Sequence, residues 1–363
     1  MKPDWSQIHN HDIGGFLGIL LAFFSILYGI AIKLRQKAYK LKLLKPKTLP
    51  GFVVSVGNLT VGGTGKTPAV IMLAKWASKK GYHVAVLSRG YGGKYRAKVL
   101  EVSNMHYIKA TPEESGDEPY LIAAKLPGIP VIIAKKRYLA GLWAYEKYNS
   151  NFFIVDDGFQ HQALARNLNL VLIDTRNPFG NNCLLPKGPL REPLKQLGRA
   201  DQFILTRLKG HKSESHLATF LKKKFPNTPV FFATHLPDQV IFPNLNKSYP
   251  PEFLNGKRVI AFAGIGQPDS FKETLTDLGA NVVYFMGFKD HALLKQKEIR
   301  NLIRKKEILK AQYIITTEKD WTRMKVFFAG KPDFGYLVIR FVLKTGQEIF
   351  FDEFPLPPQD HNW

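Results

Sequence analysis

Residues 60–67, Thr60-Val61-Gly62-Gly63-Thr64-Gly65-Lys66-Thr67, place glycines, a lysine and a hydroxyl at the spacing that grips a polyphosphate. Glycines let successive backbone N–H groups converge on phosphate oxygens. Lys66 can reach β- and γ-phosphates, and the Thr67 hydroxyl can ligate Mg²⁺. The general pattern wants glycine six positions before the lysine, where this chain carries Thr60; Gly62 and Gly63 supply the flexibility instead. Val53-Val54-Ser55-Val56 reads as a buried strand, and Gly65-Lys66-Thr67 opens a segment of helical periodicity with Pro68 in its first turn. Strand, glycine loop and helix together are the context that makes the motif a phosphate cradle, with the positive helix end behind it.

Carboxylates follow at other strand ends. Asp156-Asp157 comes after the apolar run Phe152 to Val155, the placing of the second acidic motif in phosphate-loop enzymes, where one carboxylate holds Mg²⁺ directly or through water. Gly116-Asp117-Glu118-Pro119 precedes a helix, and its plain reading is an N-cap with acids facing the helix dipole. Asp290-His291 follows a later strand. The two pairs together predict a carboxylate in one domain and a histidine in the other that meet when a cleft shuts. His161 is read as structural.

These residues need a scaffold. Strands expected at Val84–Leu87, Val131–Ala134, Phe152–Val155, Leu170–Ile173 and Phe203–Leu205 alternate with helical stretches. That pattern predicts an α/β fold: a phosphate-loop-containing, doubly wound, mostly parallel sheet, with ligands beyond the carboxyl ends of its strands. Residues 225–255, rich in Pro and Asn, read as irregular. A second, smaller α/β series follows at Arg258–Ala263, Asn281–Phe285, Tyr313–Thr316 and Tyr336–Phe341. The expected division is 1–48 as a hydrophobic membrane-associating helix with a basic segment, 49–225 as the nucleotide-binding domain, and 226–363 as a domain closing over the cleft.

Residues 13–32 carry no charge, and a helix of that length spans about 30 Å, one hydrocarbon core. Lys33, Arg35, Lys37, Lys40, Lys42, Lys45 and Lys47 follow at once, which puts the rest of the chain on the cytoplasmic side of a membrane. Gly14, Gly18, Ala22, Ser25 and Gly29 draw a stripe of small residues that another helix could approach. The formal net charge of +23 favours anionic partners. A single cysteine, Cys183, excludes an intrachain disulfide and a cysteine-based metal cluster. No interleaved basic–aromatic module points to nucleic acid.

With these motifs in order, the chain resembles the lipid A disaccharide 4′-kinase (tetraacyldisaccharide 4′-kinase) family of Gram-negative bacteria. The carriers are Val56-Gly57-Asn58 with residues 62–68, Ser88-Arg89-Gly90-Tyr91-Gly92, residues 116–119, and Asp156-Asp157-Gly158-Phe159-Gln160-His161. Leu185-Pro186, residues 188–193, Gly264-Ile265-Gly266 with Pro268, Asp290-His291 and residues 316–320 continue the series. The resemblance implies transfer of the ATP γ-phosphoryl group, with Mg²⁺, to the 4′-hydroxyl of an acylated glucosamine disaccharide 1-phosphate, giving lipid IVA at the inner membrane surface. It implies Asp117 as the base, His291 as the group that orients it, and Lys66 and Asp157 in the catalytic set. Asp157 holds the metal with Asp156 or Glu118 as companions, and the order among the three stays open. Arg191 and Arg89 are expected at the lipid's phosphate or sugar. The alternative is a membrane-associated phosphate-loop NTPase without a lipid acceptor; for a GTPase, residues 317–320 carry Glu where the guanine-reading motif has Asn.

Overall fold

Most strands of this chain are hydrophobic at consecutive positions, the mark of a sheet covered on both faces. The structure, a computed structural model, describes residues 9, 14–208, 212–288, 294, 296–344, 347–352 and 354–356. In chain order come α1 (Gly15–Lys40), β1 (Phe52–Gly57), α2 (Lys66–Lys79), β2 (Val84–Ser88), β3 (Leu100–Ser103), α3 (Pro112–Ser115) and α4 (Asp117–Lys125). β4 (Val131–Ile133), α5 (Arg137–Tyr148), β5 (Phe152–Asp156), β6 (Leu168–Asp174) and β7 (Gln202–Thr206) complete the first half. The second half holds α6 (Lys212–Lys224), β8 (Val230–Phe242), β9 (Lys247–Tyr249), β10 (Arg258–Ala263), α7 (Pro268–Asp277) and β11 (Asn281–Gly287). α8 (Gln296–Ile308), β12 (Tyr313–Thr317), α9 (Glu318–Met324), β13 (Phe334–Leu343) and α10 (Gln347–Asp352) follow.

The strands form one 13-stranded sheet in the order β11-β10-β12-β13-β8-β7-β6-β1-β5-β2-β4-β3, with β9 on β8. β1, β2, β4, β5 and β7 are buried at every position. β1 lies between β5 and β6, parallel to both, so the phosphate loop leaves the sheet where the chain crosses from one flank to the other. That crossing is where open α/β sheets bind ligands.

The stretch read as irregular contains β8, which joins the halves. Its first residues pair in parallel with β7 and the rest pair antiparallel with β13. Pro237 hid it from a strand reading. The register of the β8–β13 pair shifts between Pro237 and Gln239, and a bulge is where a strand tolerates proline. The small edge strands β3 and β9 were also unread. α10 then carries the chain back onto the first half. Phe350, Phe351 and Phe354 join the core of Val54 and Phe152, and the Phe351 and Trp76 rings stack 3.9 Å apart.

α1 is the one helix among the described residues long and apolar enough to cross a membrane. Its small-residue stripe is only partly buried: Gly18, Ser25 and Gly29 are buried with Leu21 and Ile32, while Gly14 is exposed. That face meets a loop of its own chain rather than another helix. The Ser25 hydroxyl donates to the Leu184 carbonyl at 2.7 Å, and a Cβ on Gly29 would lie 3.0 Å from Leu184 Cδ1. The opposite face leaves Phe16, Ile19, Phe23 and Ile26 more than half exposed.

Candidate active site

The phosphate loop is held open by its neighbours. Gly65 has φ 89°, a left-handed conformation that glycine adopts freely, and a Cβ there would strike the His235 ring at 2.6 Å. Thr60 is buried and bridges to Leu190, and Asn58 Nδ2 donates to the Thr60 carbonyl at 2.8 Å. The Val61 amide donates to the Pro189 carbonyl and the Arg191 amide to the Leu59 carbonyl. The Thr64 carbonyl accepts from the Thr206 hydroxyl at 3.0 Å. Val61, Gly62, Gly63, Thr64, Gly65, Lys66 and Thr67 all line a cleft of ≈ 1850 Å³.

The Lys66 ammonium donates to Asn58 Oδ1 at 3.0 Å and lies 3.5 Å from Asp157 Oδ1. Asp157 in turn accepts from Arg191 Nη1 through both carboxylate oxygens at 2.8 Å. Arg191, expected at the lipid, is therefore brought to the acidic motif by the same segment that tethers Thr60 and Val61. Burial works against the Asp157 charge, but Lys66, Arg191 and Arg137 outweigh it and hold the carboxyl at about 2. Asp156 goes the other way, raised to about 6 by burial and by the Glu118 and Asp157 charges, against Lys66 and the Ser88 hydroxyl bonded to it at 2.9 Å. Neighbouring carboxylates thus carry opposite shifts.

Glu118 lines the cleft and accepts from Lys319 Nζ at 3.0 Å. Asp117 lies beside it at the start of α4 but faces α9, with Oδ2 2.8 Å from Nε of the buried Arg323. Arg323 Nη1 is also 3.6 Å from the fully buried Asp320, whose carboxylate accepts from the Gly264 amide and the Thr317 hydroxyl. Arg89 is exposed and lines the cleft. Asp290 and His291 fall outside the described residues.

Sequence reading did not pick out the arginine cluster on the other side of the loop. Arg207 and Arg176 both donate to Asp174 and both meet Gln267 of the second half. His235 and His161 sit in the same cleft, each lowered to about 4 by burial, with nearby arginines adding to the shift. The available signal was position: Asp174 and Arg207 follow strand ends. The floor at one end of the cleft is α1, through Tyr28, Ala31, Ile32 and Arg35. The Tyr28 hydroxyl donates to the Arg191 carbonyl at 2.9 Å, and Arg35 pairs with the buried Glu192 at 3.0 Å.

A profile of the tetraacyldisaccharide-1-P 4′-kinase family (LpxK) matches residues 17–354. The chain belongs to that family. It is similar to the tetraacyldisaccharide 4′-kinase of Syntrophus aciditrophicus, 42% identical over 310 residues, covering 83% of each chain. The enzyme of the same name from Pelobacter propionicus is 41% identical over 305 residues, with 84% of this chain and 82% of that one covered. Among solved structures, LpxK from Aquifex aeolicus in complex with ATP matches with a TM-score of 0.71 at 35% identity, covering 91% of this chain and 96% of that one. This chain is thus a kinase built on the family's fold, its phosphate loop at the sheet's crossing point.

Proposed function

We propose that this protein transfers the terminal phosphoryl group of ATP to the 4′-hydroxyl of tetraacyldisaccharide 1-phosphate, giving lipid IVA. The observation that carries the reading is a single cleft with the phosphate loop on one wall and an apolar helix, α1, at one end. A nucleotide and an acylated sugar would each find a surface of their own chemistry there. The NTPase alternative gives α1 no reason to line the cleft.

Phosphoryl transfer to an alcohol asks the protein mainly for positioning and for charge neutralisation. The amides of residues 62–67 and the Lys66 ammonium supply both for the nucleotide. Asn58 and Asp157 hold that ammonium at the mouth of the loop, where a triphosphate would draw it away from Asp157. Asp117 serves as the proton acceptor for the 4′-hydroxyl and His291 orients it. Asp117 is next in sequence to the cleft-lining Glu118 while its carboxylate lies 2.8 Å from Arg323 Nε, so the first role rests on the family resemblance. Arg89 and Arg191 meet the sugar or its 1-phosphate.

The residues fit Mg²⁺. Thr67 and Asp157, with Asp156 or Glu118 as companion, offer only oxygen donors, and among the described residues no three His, Cys, Asp or Glu side chains form a cage. One or two carboxylates beside substrate phosphates is how this ion is usually held. When bound it would screen the charge of the triphosphate. The exposed side of α1 would rest in the cytoplasmic face of the inner membrane with Lys33 to Lys47 near anionic headgroups.

Labelled ATP supplied with the lipid disaccharide 1-phosphate, with and without detergent, tests the reading. Label should appear on the lipid. ATP hydrolysis that proceeds at the same rate without lipid, and leaves the lipid unlabelled, would hand the case to the NTPase.

A further inference from the structure

β7 delivers two consecutive residues to the phosphate loop. The Thr206 hydroxyl holds the Thr64 carbonyl, and the next residue, Arg207, turns back with φ 62°. A left-handed non-glycine residue is costly and persists where its surroundings enforce it, often at functional sites. The turn aims the guanidinium along the loop: a Cβ built on Gly63 would lie 3.8 Å from Arg207 Nη2. Nη1 is occupied by Asp174 Oδ2 at 2.9 Å and by Gln267 Oε1 at 3.1 Å.

Charge counting gives the arrangement a purpose. Asp174 already pairs with Arg176, at 3.4 Å to Nε. A second arginine on one carboxylate leaves one positive charge uncompensated beside the loop. Its remaining partner, the Gln267 side-chain oxygen, is neutral, and a phosphate oxygen makes a shorter and stronger bond to guanidinium than an amide does. Gln267 belongs to the turn after β10, and that turn rests on the loop, since a Cβ on Gly266 would come within 3.2 Å of the Gly63 amide nitrogen. The neutral oxygen therefore occupies the side of Arg207 that faces both the cleft and the second half.

We infer that Arg207 is a second cationic ligand of the nucleotide's terminal phosphate, exchanging the Gln267 amide oxygen for a phosphate oxygen. The inference rests on the phosphate-loop reading above. Asp174 fixes the guanidinium plane, Arg176 neutralises Asp174 so that Arg207 keeps its charge for the ligand, and Gln267 reports the exchange to the second half.

The test is binding, not turnover. Titrate Mg²⁺ with ADP and with a non-hydrolysable ATP analogue into wild type, Arg207→Gln, Arg207→Lys and Gln267→Ala, with thermal melting alongside. Arg207→Gln should weaken the ATP analogue about tenfold, the equivalent of about 1.4 kcal/mol, while ADP changes by less than about twofold. Arg207→Lys, a point charge without the fork, should fall between, and it carries the comparison if the glutamine variant melts early. Gln267→Ala should bind the analogue at least as tightly as wild type. Equal losses for both nucleotides, or none, overturn the inference and leave the loop intact. Wild type that binds neither nucleotide overturns the phosphate-loop reading and the inference with it.

Discussion

Lys66 sits between a neutral acceptor and an ionised one, and that choice of partners sets how the loop behaves. Asn58 keeps the ammonium in place without cancelling its charge, while Asp157 is shared with Arg191 and so holds it loosely. Lys66→Ala should therefore cut transfer to the lipid acceptor by at least about a hundredfold, the scale for losing a group that stabilises transition-state charge, with the melting temperature within a few degrees of wild type. Turnover within severalfold of wild type would refute the role. The two cleft histidines predict a pH effect on stability. His235 and His161 drop from the ordinary 6.5 to about 4. Between those values the unfolded chain binds protons that the folded chain refuses, so their contribution is complete above pH 6.5 and shrinks as the pH falls towards 4. Asp156, raised to about 6, works in the opposite sense over the same range, so the readout is the difference in denaturant stability between pH 7 and pH 5, which His235→Gln should move in favour of pH 5. An unchanged difference would mean that the His235 imidazole is not held neutral. The loop lysine and the acidic pair were legible because they sit at fixed offsets from strand ends. The partners were not: nothing in the sequence puts Arg191 on Asp157, since 34 positions separate them and only the folded 188–191 segment beside Thr60 closes the gap.

Elements explain where that legibility ends. Strands with an unbroken apolar run, such as β1, β5 and β10, could be read to within a residue or two, because their short length and their β-branched and aromatic content separate them from buried helices. β8 carries half-exposed residues and a proline at its bulge, and the information that makes it a strand lies in β13, about a hundred residues away. The short helix α9 is a similar case. Its sequence, Glu318-Lys319-Asp320, was read for the family resemblance and for its likeness to a guanine-reading motif, and neither reading foresaw its electrostatic contact with α4. Lys319 pairs with Glu118, Lys125 of α4 with Glu318, and Arg323 with Asp117. The Arg323 pair is buried, and removing one partner of such a pair strands a charge. Arg323→Leu should therefore cost about 3 kcal/mol in denaturant unfolding, the low end for a broken buried pair. Adding Asp117→Asn should recover part of that loss, because the stranded carboxylate is gone. Strict additivity of the two changes would show that the pair is not coupled, and the α9–α4 contact would then rest on Lys319–Glu118 and Lys125–Glu318.

At the scale of the whole molecule, the sheet gives the nucleotide a rigid seat and α1 gives the chain a greasy flank, and the two meet in one cleft. α1 is anchored along one face by Ser25, Tyr28 and Arg35, all bound to the loop 184–192 that also carries Arg191. A helix fastened to its own protein along that length has one face left, and here that face is Phe16, Ile19, Phe23 and Ile26. Under the proposed function, this apolar face beside a basic run is the surface that meets the bilayer. Replacing Phe16, Phe23 and Ile26 with Ser together should lower co-sedimentation with anionic phospholipid vesicles about tenfold or more, since each large apolar side chain buried contributes roughly 1.5–3 kcal/mol. Nucleotide binding should be unchanged, because none of the three lines the cleft. Transfer to acceptor dispersed in detergent should survive, while transfer to acceptor embedded in vesicles should fall in step with sedimentation. If the triple variant still sediments like wild type, the exposed face of α1 is not what holds the protein to lipid, and the basic residues from Lys33 onward would have to do so alone; in that case raising the salt should release it, since the Debye length falls from about 10 Å at 0.1 M to about 3 Å at 1 M.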